Sequence, residues 1–214
     1  MQKAKVLSHP FIQDALGYLR NKNTPIETFR FYSDRICEFL IYESLRNLLL
    51  KEKKILTPLT DTSIGFIDEE FVILPVLRSG IAMLLPTLHL LPKAKVGFIG
   101  LERNETTAIA REYYFKIPRI NNNSIVLITD PMLATGGSTL HSLEKITPFN
   151  PKQILIICVI ASQEGIKAIE KKFPNVTITT AVIDPELNSK KFIVPGLGDY
   201  GDRYFGTDEL FTFR

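Results

Sequence analysis

The sequence predicts an α/β protein: a doubly wound, mostly parallel five-stranded sheet flanked by helices, with an N-terminal helical segment and a protruding loop or hairpin at about 102–123. Three observations predict it. Past residue 70, near-continuous Val/Ile/Leu runs alternate with helical patterns, and runs lacking polar alternation belong to strands covered on both faces. One such run ends in a single carboxylate, Asp130, followed by the small-residue loop Thr135-Gly136-Gly137-Ser138 and an amphipathic stretch. Finally, 214 residues suffice for one sizeable core, so 1–214 reads as a single domain. Its parts are a helical region over about 8–60, an α/β core over about 70–185 and a C-terminal segment over about 186–207.

The elements follow in order. From about Thr24 to Lys53 the pattern is helical, with Ile41, Leu45, Leu48 and Leu49 on one stripe that suits the sheet or a second copy of the chain. Residues 71–77 read as a buried strand, 78–91 as a helix and 95–101 as a strand. Residues 102–123 are polar, end in three asparagines and lie between two core strands, so a hairpin arm or a flap over the site is expected. Residues 124–130 read as strand, about 138–146 as helix, 153–161 as strand, 162–173 as helix and 176–184 as strand. Beyond Asp184, Pro195 and four glycines at 196, 198, 201 and 206 make a loop-rich segment.

Bulk properties narrow the function classes. Hydrophobic residues make up 45% and charged residues 23%, and the net charge of +3 is spread without a basic arm, so nucleic-acid binding is not indicated. No stretch approaches the roughly 18 apolar residues of a membrane span, and the first residues lack a signal-peptide core. Cys37 and Cys158 lie in apolar patterns and read as buried thiols, which points to a reducing cytoplasm. His9, His89 and His141 have no matching second ligand, so no protein-held metal is expected. Neither a dinucleotide fingerprint nor a Walker motif is present.

Four segments carry polar groups a core does not need. In Asp130-Pro131-Met132-Leu133-Ala134-Thr135-Gly136-Gly137-Ser138 the backbone N–H groups can turn toward one anion, with the following helix dipole adding positive charge. Asp130 stands where open α/β sheets bind ligands and suits sugar hydroxyls or a Mg²⁺-bound ligand. Arg78, in Leu77-Arg78-Ser79-Gly80, follows a buried strand at the same edge and suits a phosphate or diphosphate, the alternative being a surface ion pair. Arg103 is a second residue of this kind, within the third segment, 102–123. The fourth, 193–207, places bare backbone beside Asp199 and Asp202. Main-chain groups there suit a flat ring edge such as a pyrimidine's, and Tyr200 or Phe205 either flanks the ring or packs.

The loop DPMLATGGS resembles the phosphoribosyl-diphosphate motif of type I phosphoribosyltransferases, and the single acid before Pro131 resembles the uracil phosphoribosyltransferases in particular. The likeness extends through LPVLRSGIAML, ERNETT, EGIKAIEKKFP and IVPGLGDYGDRYFGT, roughly residues 8 to 207. It implies transfer of ribose 5-phosphate from 5-phospho-α-D-ribose 1-diphosphate to N1 of uracil, giving UMP and diphosphate, with Mg²⁺ carried on the diphosphate. It also implies site roles. Ala134 to Ser138 hold the 5-phosphate, Asp130 faces the ribose, and Arg78 and Arg103 take the diphosphate. Ile193 and the Gly198-Asp199-Tyr200 backbone bind uracil, with Asp199 also near the reacting sugar. Asp130, Asp199 and Arg103 are thus the expected catalytic groups, the proton acceptor for uracil N1 being Asp199 or solvent. Dimers or larger homo-oligomers are implied. GTP activates some members, and no residue here assigns such a site. The competing readings are a non-catalytic nucleotide or phosphoribosyl-diphosphate sensor on the same fold, and a purine as the acceptor base.

Overall fold

The computed structural model describes residues 4–103 and 110–207. The chain opens with β1 (Ala4–Val6), α1 (Pro10–Arg20) and α2 (Ile26–Ser44), then β2 (Lys51–Leu56) and β3 (Asp61–Phe66). The core follows as β4 (Glu70–Leu77), α3 (Ile81–Leu90), β5 (Lys95–Val96), β6 (Phe98–Arg103), β7 (Ala110–Lys116), β8 (Ser124–Thr129), β9 (Met132–Leu133) and α4 (Gly137–Ile146). It closes with β10 (Gln153–Ser162), α5 (Gln163–Lys172), β11 (Thr177–Asp184), β12 (Glu186–Leu187), β13 (Ile193–Val194) and α6 (Tyr200–Phe205).

The five expected strands form the middle of the main sheet, in the order β11-β10-β8-β4-β6, all parallel. Four additions enlarge it to nine strands among the described residues. β1 lies beside β11, β7 is antiparallel to β6, β5 pairs with β4, and β9 pairs with β10. Successive residues of each inner strand feed opposite layers: Ile125 and Leu127 join α1, α2 and α3, whereas Val126 and Ile128 join α4 and α5. Both faces are therefore covered, as the apolar runs require.

In chain order the five strands are arranged 2-1-3-4-5, so the winding reverses between β4 and β8. In open α/β sheets the crevice at such a reversal, outside the strands' carboxyl ends, takes the ligand. Pro75 is the last residue of β4 paired with β8, opposite Thr129. Lacking an N–H, it sits where the ladder stops and the strands part. The turn after β4 is very close: a Cβ on Gly80 would lie 2.5 Å from the Thr129 carbonyl oxygen and 2.6 Å from Val76 backbone atoms.

Two expectations are corrected. The helix expected from Thr24 to Lys53 ends at Ser44, so Leu45, Leu48 and Leu49 do not continue its stripe. Residues 51–66 instead form an antiparallel β2–β3 hairpin whose first strand falls within the region read as helical to about 60. That hairpin stands apart from the main sheet, exposed on both faces, and its strands carry no burial alternation. The 102–123 connection does make an arm of β6 and β7, and residues 104–109 lie outside the described set. The arm's base is fastened to α4: Glu112 meets His141 Nε2 at 2.8 Å and Lys145 Nζ at 3.3 Å.

Candidate active site

A cavity of about 280 Å³ opens at the carboxyl ends of β4 and β8. Of the residues expected to bind ligand, Asp130, Met132, Ala134, Ser138, Ile193, Gly198, Asp199 and Tyr200 line it. Segments more than 50 positions apart in sequence thus meet at the predicted strand edge.

Asp130 forms the floor. Its Oδ1 accepts hydrogen bonds from the Ser79 hydroxyl (3.2 Å) and the Met132 N–H (3.3 Å). Burial nevertheless dominates, and with the Asp199 charge nearby it raises the carboxyl to about 6 despite those two donors. An acid so placed carries a proton in slightly acid solution and is ionised above neutrality.

The phosphate loop is shaped from behind. Pro131 O accepts from the Val159 and Ile160 N–H groups, both at 3.0 Å, and Leu133 is buried in the core beside β10. Ser162 caps α5 by accepting from the Gly165 N–H at 2.9 Å while its hydroxyl donates to Ala134 O at 2.5 Å. A Cβ on Gly165 would lie 2.5 Å from that same carbonyl, so only glycine lets the loop lie on α5. Gly136, at φ +79°, caps α4 without a side chain of its own, and the Gly137 N–H donates to Thr135 Oγ1 only at 3.4 Å. The first-turn N–H groups, with the Thr135 and Ser138 hydroxyls, form an anion cradle. Pro131, Leu133, Thr135, Gly136 and Gly137 are not among the residues that line this cavity.

Arg78 also stands beside the wall, between Leu77 and Ser79, which are in it. It is largely exposed and pairs with Asp202 at 3.1 Å. An exposed pair of this sort is weak and yields readily to a multivalent anion. Arg103 ends β6, and its side chain is outside the described set.

On the other side the chain folds back as β13 and α6. Ile193 is buried at the wall, and Asp199 caps α6 by accepting the Asp202 N–H at 2.9 Å. The Tyr200 ring does not flank a ligand. It is buried, its hydroxyl meets Ser33 Oγ at 2.6 Å and its ring makes a T-shaped contact with Phe29 at 5.2 Å, so of the two roles left open for it the side chain takes packing against α2. Its contribution to the cavity is main chain. Lys191 and Phe192, absent from the sequence reading, also line the site. The one local signal for them is Asn188, whose Oδ1 accepts from the Lys190 and Phe192 N–H groups and turns the chain there.

The comparisons agree among themselves. A family model described as uracil phosphoribosyltransferase matches residues 6–207. A curated uracil phosphoribosyltransferase of Thermosipho africanus is 44% identical over 206 residues, 96% of this chain and 99% of the relative. The solved structure of a protein from Aquifex aeolicus superposes with a TM-score of 0.91 at 38% identity, covering 97% of this chain and 100% of that one. An adenine phosphoribosyltransferase from Trypanosoma brucei, solved with AMP, pyrophosphate and ribose 5-phosphate, shares the fold at a TM-score of 0.58 and 12% identity, covering 86% and 84%.

Proposed function

The chain belongs to the uracil phosphoribosyltransferase family, and from that premise we propose how its cavity carries out the family's reaction, the transfer of ribose 5-phosphate from 5-phospho-α-D-ribose 1-diphosphate to N1 of uracil. The observation that carries the proposal is the meeting, at one strand edge, of an anion cradle, a buried acid and a backbone-lined recess.

The α4 N-terminus and the Ala134–Ser138 loop hold the 5-phosphate. Asp130 accepts hydrogen bonds from the ribose hydroxyls, which replace water around its charge. Arg78 leaves Asp202 for the departing diphosphate, joined there by Arg103. Main-chain groups at Ile193 and Gly198–Tyr200 read the uracil edge. As the C1–O bond breaks, the sugar becomes cationic and negative charge gathers on the diphosphate. Arginines that engage that end as charge develops stabilise the transition state more than the ground state. Asp199, beside the sugar, stabilises its positive charge, and the N1 proton passes to Asp199 or to solvent.

The site also fits Mg²⁺. Asp130 and Asp199 are the wall's two carboxylates, and Asp199 makes ionisation of Asp130 harder, an arrangement that a cation relieves. Mg²⁺ keeps several waters and favours substrate phosphates over an all-protein cage, and bound there it adds positive charge to the leaving group.

A second copy of the chain is the expected partner. An isolated two-stranded hairpin is marginal in water, and β2–β3 with its flanks exposes Leu50, Leu56, Leu59 and Ile64. Burial against a partner resolves both features. Cys37 and Cys158 are free, and burial pushes both thiols above the usual cysteine range, which fits an enzyme of the reducing cytoplasm. No helix among the described residues is long and apolar enough to cross a membrane.

The test is conversion of labelled uracil to UMP with the sugar diphosphate and Mg²⁺, wild type beside Asp130→Asn. UMP from wild type and a loss of roughly 10- to 100-fold in the variant, the scale of one or two charge-assisted hydrogen bonds, are expected. Folded wild-type protein that binds the sugar diphosphate without turnover would make it a sensor instead.

A further inference from the structure

Gly196 is the midpoint of the turn that carries the base-reading backbone, with Ile193 on one side and Gly198–Tyr200 on the other. Both of its peptide groups are held by a single ion pair from elsewhere. Arg20, at the end of α1, donates through Nη1 to Gly196 O at 2.8 Å. Asp184, at the end of β11, accepts the Gly196 N–H at Oδ2, 2.9 Å away. The two side chains grip each other in a fork, Nη1 to Oδ2 at 2.9 Å and Nη2 to Oδ1 at 2.6 Å. Asp184 is almost wholly buried, its side chain 3% exposed.

The turn cannot hold this shape by itself. Gly196 sits at φ +57°, and a Cβ there would lie 2.2 Å from Ile193 O, so the residue must be glycine, the least restrained of all. A second arginine reinforces the attachment. Arg203 donates to Leu197 O and to Asn21 O, both at 2.7 Å, with its guanidinium 4.5 Å over the Phe29 ring. The turn is thereby joined to the carboxyl end of α1, where cations are favoured.

Neither Arg20 nor Asp184 lines the cavity, and neither is bonded to the 134–138 loop among the contacts of the described residues. We infer that Arg20 and Asp184 are positioning residues for the nucleobase: they fix the Val194–Gly198 turn so that its flanking main-chain groups meet uracil in register, and they act on uracil without acting on the sugar diphosphate. The inference rests on assigning uracil to Ile193 and Gly198–Tyr200. Arginine is required because one planar fork must serve a carboxylate and a carbonyl together, which an ammonium cannot do in the same geometry.

Steady-state kinetics with both substrates varied tests this on the full chain, in Arg20→Ala, Arg20→Lys, Asp184→Asn and Gly198→Ala, with active fraction fixed by titration and folding by thermal melts. Gly198, at φ +85°, reports directly on the uracil assignment, because alanine displaces that backbone. The expected result is a KM for uracil raised tenfold or more in Arg20→Ala and several-fold in Arg20→Lys and Asp184→Asn. The KM for the sugar diphosphate stays within twofold. Should Arg20→Ala not fold, the two milder variants carry the test. A lower melting temperature with both KM values unchanged, or with both raised alike, overturns the inference. Were Gly198→Ala alone to raise the uracil KM, the clamp would fall and the assignment stand. If Gly198→Ala and the clamp variants all leave it unchanged, both fall.

Discussion

Asp130 is costly to the folded protein when ionised, and the size of that cost can be worked out. An ordinary aspartate loses its proton near 3.8, whereas burial holds Asp130 up to about 6. That difference corresponds to about 3 kcal/mol of preference for the protonated form in the native state. The sign follows from proton counts. Between those two values the folded protein keeps a proton that the unfolded chain releases. Wild type therefore loses stability as pH rises through that window, and the loss is complete above about pH 6. Asparagine is neutral at every pH, and both donors to Asp130, Ser79 Oγ and the Met132 N–H, address Oδ1, which an amide oxygen replaces. Asp130→Asn should thus match wild type near pH 4 and exceed it by up to about 3 kcal/mol at pH 8. For a chain of this length that is a rise of roughly 2–4 °C in Tm per kcal/mol. Urea unfolding of both proteins without ligand, at intervals from pH 4 to 8, measures it. A stability difference that does not change with pH, or a variant less stable at pH 8, would refute the reasoning. The same substitution weakens catalysis, so stability and activity should move in opposite directions.

Other outcomes follow from the geometry. Gly80→Ala drives a Cβ against three backbone atoms at 2.5–2.6 Å, and a drop in stability of several kcal/mol or outright misfolding should appear in denaturant titration. Ser162→Ala removes the α5 cap and the tie to Ala134 O, costing about 1–2 kcal/mol and weakening affinity for the sugar diphosphate, as calorimetry would show. Arg78→Ala should raise the KM for the sugar diphosphate about tenfold or more while that for uracil changes little; equal effects on both would contradict its assignment to the leaving group. Sedimentation of a variant with Leu56 and Leu59 changed to Ser should show weakened self-association if the β2–β3 hairpin meets a second copy.

What could be read without coordinates depended on how local its cause was. The five inner strands were legible because burial on both faces leaves continuous Val/Ile/Leu runs, and β4 stayed legible despite Pro75, whose missing N–H falls where pairing with β8 ends. The Asp130–Ser138 loop was legible because a cradle, its acid and its helix are consecutive in the chain. The β2–β3 hairpin was hidden for the opposite reason: exposed on both faces, it leaves no alternation, and Leu45, Leu48 and Leu49 happen to prolong a helical stripe up to its start. β1 is three residues long and owes its strand state to pairing with β11. Tyr200 stayed open between ring partner and packing because an aromatic among glycines suits both, and the contact that decides it, with Ser33, lies 167 positions away. Arg20 and Asp184, 164 positions apart, leave no local trace at all.

The attachment of the 194–203 turn to α1 also bears on the order in which the molecule assembles. The Arg20–Gly196 contact spans 176 residues. Closing so long a loop is entropically demanding until the intervening sheet has already brought its ends together. The phosphate cradle, built from neighbours in sequence between β8 and α5, has no such wait. A refolding chain should therefore gain affinity for the sugar diphosphate before it gains affinity for the base. Under mild denaturant it should surrender them in the reverse order.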